Sequence, residues 1–263
     1  MDTSIQRKVF FMGLWTWTHF WGIVPAFIVF VGIAVLLGFT LKNKSNTIKR
    51  IPLQVIAAVI IILEILKQVI SLSRGYDLYH LPFHYCSLFI YLLPLHAFAF
   101  GKFKKYIDGI TFATCASLFL FFLIIPTILY PASAFTTFFK DFFNFHTVTF
   151  HHLVVLYFFI AIALKQFELK VNRDFPIMAV VLSVYVIVAT ALSYILKVNF
   201  QNLRQCNFGA LENIRVAMNN AIGFFGQAIY IFLIFIGTTL FGYLSYFLIS
   251  LFYKHVMLRK KKS

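Results

Sequence analysis

The stretch HLPFHYCSLF at residues 80–89 sets two histidines, a proline and a cysteine at the front of an apolar run. Further along, FHHLVVL opens another apolar run with His151 and His152. A thiol with an imidazole beside it is the minimum for nucleophilic acyl chemistry. The imidazole takes the thiol proton and later returns one to the leaving group. Cys86 is then the candidate nucleophile and one of the paired histidines the base. Adjacent helical residues point about 100° apart, so only one of the two can face the thiol. A metal site is the rival chemistry, with His80, His84, Cys86 and His151 as a tetrahedral donor set. It is the weaker reading, because His84 and Cys86 are two apart and diverge on a helix. Acyl chemistry needs neither metal nor cofactor, and none is expected.

Glu64 and Lys67 in ILEILKQ are three apart, which puts them on one helical face where they can pair. His96 and Cys115 lie deeper in apolar runs and read as packing residues. His19 and His255 lie near the ends and receive no role.

These residues sit in a chain of 263 residues that is 61% hydrophobic and only 12% charged, which excludes a soluble domain of this length. Seven apolar segments, at roughly 19–41, 51–72, 83–100, 107–130, 148–164, 177–197 and 222–252, predict an all-α polytopic membrane bundle. Loops are short, so residues 1–263 read as a single integral membrane domain. The last segment exceeds the ~20 residues a span needs. Gly223 and Gly226 interrupt it, leaving open one tilted span or a re-entrant piece followed by a span.

The net charge of +15 does not point to nucleic acid, because its distribution is that of a membrane protein. One set of alternate connections receives Lys42, Lys44, Lys49 and Arg50, then Lys102, Lys104 and Lys105, then Lys165, Lys170 and Arg173. The tail adds Lys254 and Arg259 to Lys262. The other side receives only Arg7, Lys8, Arg74, Lys140, Lys197, Arg204 and Arg215. Basic residues stay cytoplasmic, which predicts an outer amino terminus and a cytoplasmic carboxyl terminus in a multi-pass cell-membrane protein. The basic tail reads as a topology anchor and lipid contact. Arg7 and Lys8 precede a long apolar run without a small-residue cleavage site, so no cleavable signal is expected. Cys86, Cys115 and Cys206 are odd in number without paired spacing, and predict no disulfide framework.

That topology brings the chemistry together. Spans 3 and 5 both begin on the outer side. Pro82 suits a first helical turn, which would put Cys86 in the second turn, at the depth of His151 and His152. Glu64 lies ~20 Å along a core about 30 Å thick, in its outer third. Asn219, Asn220 and Gln227 fall at the outer boundary, where Asn219 could orient the histidine or donate to a carbonyl oxygen. Arg204, Asn207, Glu212, Asn213 and Arg215 read as the solvated part of the same connection.

The motifs LPFHYCSLFIYLLPL, FHTVTFHHLVVL and NNAIGF resemble those of the YwaF-like integral membrane proteins of bacteria. That group is similar to the eukaryotic transmembrane protein 164 family, whose members transfer fatty acyl chains between phospholipids. The resemblance spans most of residues 50–252 and implies a thiol-linked acyl intermediate on Cys86, with His152 or His151 as base. The leading expectation is therefore a bundle that transfers or hydrolyses lipid acyl groups at the outer-leaflet boundary. Cys86, His151 and His152 would carry the chemistry, with His84, Glu64 and Asn219 in support and membrane lipid as the partner. Two readings from other classes stand beside it: an ion pathway or transporter using Glu64 and Lys67, and a non-catalytic lipid- or partner-binding protein.

Overall fold

In the computed structural model, the described residues are 9–10, 15–206 and 209–257. Arg7, Lys8, Asn207 and the tail cations from Arg259 onward lie outside them. A short antiparallel pairing of β1 (Val9–Phe10) with β2 (Trp15–Thr16) precedes the bundle. The helices are α1 (Trp17–Thr40), α2 (Asn46–Ser73), α3 (Leu88–Phe98), α4 (Gly101–Ile124), the single turn α5 (Ser133–Thr136), α6 (Phe142–Ala163), α7 (Val171–Ile195), α8 (Gly209–Ile222) and α9 (Phe224–Phe252). The fold is all-α. Among the described residues six helices, α1, α2, α4, α6, α7 and α9, are long and apolar enough to cross a bilayer.

The seventh expected span is shorter than a crossing helix. Its helical part, Tyr85–Phe98, is roughly 21 Å long against a core of about 30 Å. Pro82 does not open it. His84, two residues after the proline, is still extended at φ −78° and ψ 155°, so the helical turns begin only at Tyr85. The chain turns through a 3₁₀ segment at Leu78–His80, bends at Pro82, and re-enters a helix through the 3₁₀ turn Tyr85–Ser87. Cys86 therefore lies in the turn that feeds α3.

Other boundaries follow from local chemistry that apolar content alone conceals. Asp141 caps α6, accepting the Asn144 amide at 2.8 Å, so this helix starts at Phe142 and not near 148. Gly101, at φ +59°, lets α4 start where α3 has barely ended. Pro126 ends α4 at Ile124, well short of 130. The final apolar region is one helix, α9, set off from α8 by Gly223 at φ +57°, ψ −131°.

The two central helices are α4 and α6, both mostly buried. Helix α6 packs on α1, α2 and α4, while α4 also meets α3, α7 and α9. Helix α8 folds back along α9, and a Cβ at Gly226 would run into the Met218 carbonyl. A polar clasp holds the pair. Glu212 accepts from Arg215 (2.6 and 2.7 Å) and from the Cys206 amide (2.7 Å). Arg215 and Asn219 both donate to Gln227 Oε1 at 2.9 Å, and Gln227 donates to the Leu203 carbonyl at 2.8 Å.

Two outcomes follow. Gly226→Leu should weaken α8 docking by about 1–3 kcal/mol, the usual result of overpacking, seen as faster trypsin cleavage after Arg215 in otherwise folded protein. The Glu212 carboxyl is pulled down to about 2, first by its hydrogen bonds to Arg215 and then by the Cys206 amide. A depressed carboxyl contributes stability that is complete above its ordinary value of 4.5 and is lost as pH falls through the lowered one. Hydrogen-exchange protection factors in 209–222, corrected for the intrinsic pH dependence of the rate, should thus stay constant from about pH 8 to 5, and Glu212→Gln should lower them at neutral pH.

Candidate functional site

The last third of α2 carries Glu64, Lys67 and Gln68, and a buried carboxylate there must have partners. Glu64 has three. Lys67 Nζ stands 2.8 Å from Oε1, Gln68 Nε2 2.6 Å from the same oxygen, and His146 Nε2 3.5 Å from Oε2. The expected Glu64–Lys67 pairing is present, but the pair extends to a histidine of α6. Gln68 also donates to the His80 carbonyl at 2.8 Å and accepts from the Tyr76 hydroxyl. Glu64 thereby ties α2 to α6 directly and, through Gln68, to the segment that leads to Cys86.

That segment is held from the far side as well. Tyr185 of α7 donates to the Phe83 carbonyl at 2.6 Å. His80 lies flat on Phe143, with centroids 4.2 Å apart. The His84 ring is 4.4 Å from the Tyr79 ring, and its Nε2 is 3.2 Å from the Tyr79 carbonyl. Cys86 follows, half-buried and free, as are Cys115 and Cys206. Its place just before α3 brings it nearer the positive end of the helix dipole than a second-turn position would.

About two and a half turns into α6 the paired histidines diverge. His151 Nδ1 lies 2.8 Å from the Thr147 carbonyl and His152 Nδ1 2.8 Å from that of Val148. A carbonyl oxygen only accepts, so each Nδ1 carries the proton and each Nε2 keeps its lone pair. His151 lines the same cavity as Cys86, His146 and Glu64. His152 turns off the cavity wall into an aromatic box formed by Phe27, Phe30, Phe122, Tyr130 and Phe135, with centroids 5.2 to 6.3 Å away, and Tyr130 lies between the two histidines, 6.0 Å from the His151 ring. His19, expected to be peripheral, is fully buried beside this box, its ring stacked on Tyr130.

The cavity has a volume of about 820 Å³, the size class of a site for a bound organic molecule. Its upper wall is polar, with Glu64, Lys67, His80, His84, His146, Asn199 and Asn202. Its deeper wall is apolar, with Leu118, Phe121, Leu233, Ile234 and Phe241. Leu211, Ile214 and Met218 of α8 close one side. Of the supporting residues, His84 and Glu64 line this space. Asn219 instead binds Gln227 in the clasp between α8 and α9, because the fold-back at Gly223 turns that part of α8 toward α9.

Two features escaped the sequence reading. His146 falls outside a helix begun at 148 and enters one capped by Asp141, so the aspartate was the available signal. The second is a buried polar layer at the opposite end of the bundle. There Asp108 meets Lys104 at 2.7 Å and His96 at 3.3 Å, and it accepts the Glu168 amide at 2.9 Å. His96 in turn lies 2.6 Å from the Tyr157 hydroxyl. His96 is therefore a hydrogen-bonded ring and not simple packing.

No curated protein and no solved structure matches the chain significantly. The model of the TMEM164 family matches residues 14–245, a span that holds α1 to α8 entire, most of α9 and every residue of the cavity named above. This protein is an integral membrane member of the TMEM164 family.

Proposed function

We propose that the chain is a cysteine-dependent acyltransferase of membrane lipids, working at the outer leaflet of the cell membrane. The observation that carries this reading is that Cys86, His151 and the Glu64–His146 pair line one cavity, polar above and apolar below. The connections 40–46, 98–101 and 163–171 lie at the opposite end of the bundle, and Lys42, Lys44, Lys49, Arg50, Lys102, Lys104, Lys105, Lys165, Lys170 and Arg173 lie within them or in the helix turns that follow, which supports an outward-facing cavity.

In the first half-reaction the Cys86 sulfur attacks the ester carbonyl of a phospholipid. His151 Nε2 takes the thiol proton as the C–S bond forms. The ester C–O bond breaks, and the proton passes from the imidazolium to the departing lipid oxygen, leaving a lysolipid. In the second half, the hydroxyl of an acceptor lysolipid attacks the thioester and gives its proton to His151. A new C–O bond forms, the C–S bond breaks, and the thiolate recovers the proton. Water as acceptor gives hydrolysis by the same steps. Glu64, facing His146 Nε2 at 3.5 Å, fixes the orientation of this ring at the polar wall.

A permeation route through Glu64 and Lys67 is less well supported. Both side chains are paired within the cavity wall, and fully buried Leu93, Phe112 and Tyr157 fill the bundle beneath.

Purified protein in vesicles should move a deuterated acyl chain from phosphatidylcholine to an added lysophospholipid. Cys86→Ala should abolish the exchange, and exchange at the wild-type rate in that variant would overturn the proposal. His151→Gln should slow it by roughly a hundred- to ten-thousand-fold. His152→Gln, in its aromatic box, should change the rate per folded molecule by less than about tenfold. The reverse ranking of the two histidines would assign the base to His152.

A further inference from the structure

One face of α9 borders the cavity along most of its depth. Tyr230, Leu233, Ile234, Gly237, Thr238 and Phe241 recur at helical spacing and span roughly 16 Å at 1.5 Å per residue. The stripe starts at the polar mouth, where Tyr230 donates to the Asn202 carbonyl at 2.6 Å. It ends where the Phe241 ring stacks on Phe121 with centroids 4.5 Å apart. That aromatic pair forms a floor, and above it lies a slot lined by hydrocarbon.

Gly237 stands one helical turn above this floor. A Cβ built there would meet nothing within 4 Å. At Gly226, on the same helix, an added Cβ would collide with α8 backbone. Helix propensity disfavours glycine at an interior position by about 1 kcal/mol relative to alanine, and no close helix contact at Gly237 offsets that. What its missing side chain leaves is room in the slot.

We propose that the slot between α4 and α9 takes the acyl chain of the lipid, and that Gly237 sets the chain length it accepts. This rests on the acyl-transfer reading for its substrate class and adds the direction in which that substrate lies. The headgroup and glycerol sit at Lys67, His80 and His84, the ester carbonyl passes Cys86, and the chain descends along α9 toward Phe121 and Phe241. A leucine at 237 would occupy the volume just above the floor. Its Cβ would meet open space.

The test reads binding, not chemistry. Native mass spectrometry of the detergent-solubilised protein is run with equimolar dilauroyl and distearoyl phosphatidylcholine. Wild-type protein should retain the stearoyl lipid in preference. Gly237→Leu should lower the stearoyl-to-lauroyl ratio by about tenfold, the effect of denying burial to roughly two methylenes. Gly237→Ala should shift it the same way by less, which keeps the question answerable if the leucine protein does not fold. Gly32→Leu, at another open position in α1 that does not line the cavity, should leave the ratio unchanged. An unchanged ratio in both Gly237 variants, or an equal shift in Gly32→Leu, would overturn the assignment. A shift specific to Gly237 in protein that shows no acyl exchange upholds the chain slot and removes only the catalytic reading.

Discussion

A carboxylate at membrane depth organises this molecule. Glu64 is buried in α2, and an unpaired charge there would cost more than a bundle of this size could offset. Its three partners come from two helices: Lys67 and Gln68 on its own and His146 on α6. Through Gln68 it also reaches the carbonyl of His80. The non-helical segment carrying His80, Pro82 and His84 is thus anchored by the same network that positions an imidazole. Cys86 is placed by that segment, so the thiol's position depends on a charge pair with no bond to it.

The broad architecture was legible because apolar runs long enough to cross a bilayer are a property of the sequence alone. Glu64 and Lys67 were legible for a similar reason, since a spacing of three on a helix brings side chains together. Boundaries were less so. The helix containing His146 begins six residues before its apolar run, because Asp141 supplies the cap. The helix containing Cys86 begins after the proline and not at it, because Tyr185 ties down the Phe83 carbonyl and His84 is still extended. Equal depth brought Cys86 and the paired histidines into consideration together, but depth does not determine which way a ring faces. That depends on how α6 rotates between α1 and α2, and only the packed bundle shows that His151 meets the cavity while His152 meets the aromatic box.

The two ends of the bundle use buried polarity differently. At the lysine-rich end, Asp108, Lys104, His96 and Tyr157 satisfy one another and close the helices together. At the cavity end the polar groups of Glu64, His146 and His151 border open space. A cavity with charged groups of α2 on one wall and roughly 16 Å of largely apolar α9 on another matches an amphiphile. The α8–α9 clasp gives that space its side wall, which is why Arg215, Asn219 and Gln227 matter here as structural partners.

The central claim is that Cys86 accepts an acyl group from lipid. The most direct measurement is the mass of the peptide containing Cys86 after purified protein is incubated with phosphatidylcholine bearing a deuterated acyl chain and quenched in acid. The account predicts an acyl adduct of that mass on Cys86, removed by neutral hydroxylamine and absent from peptides containing Cys115 and Cys206. An unmodified Cys86 peptide under conditions where acyl exchange proceeds would contradict it.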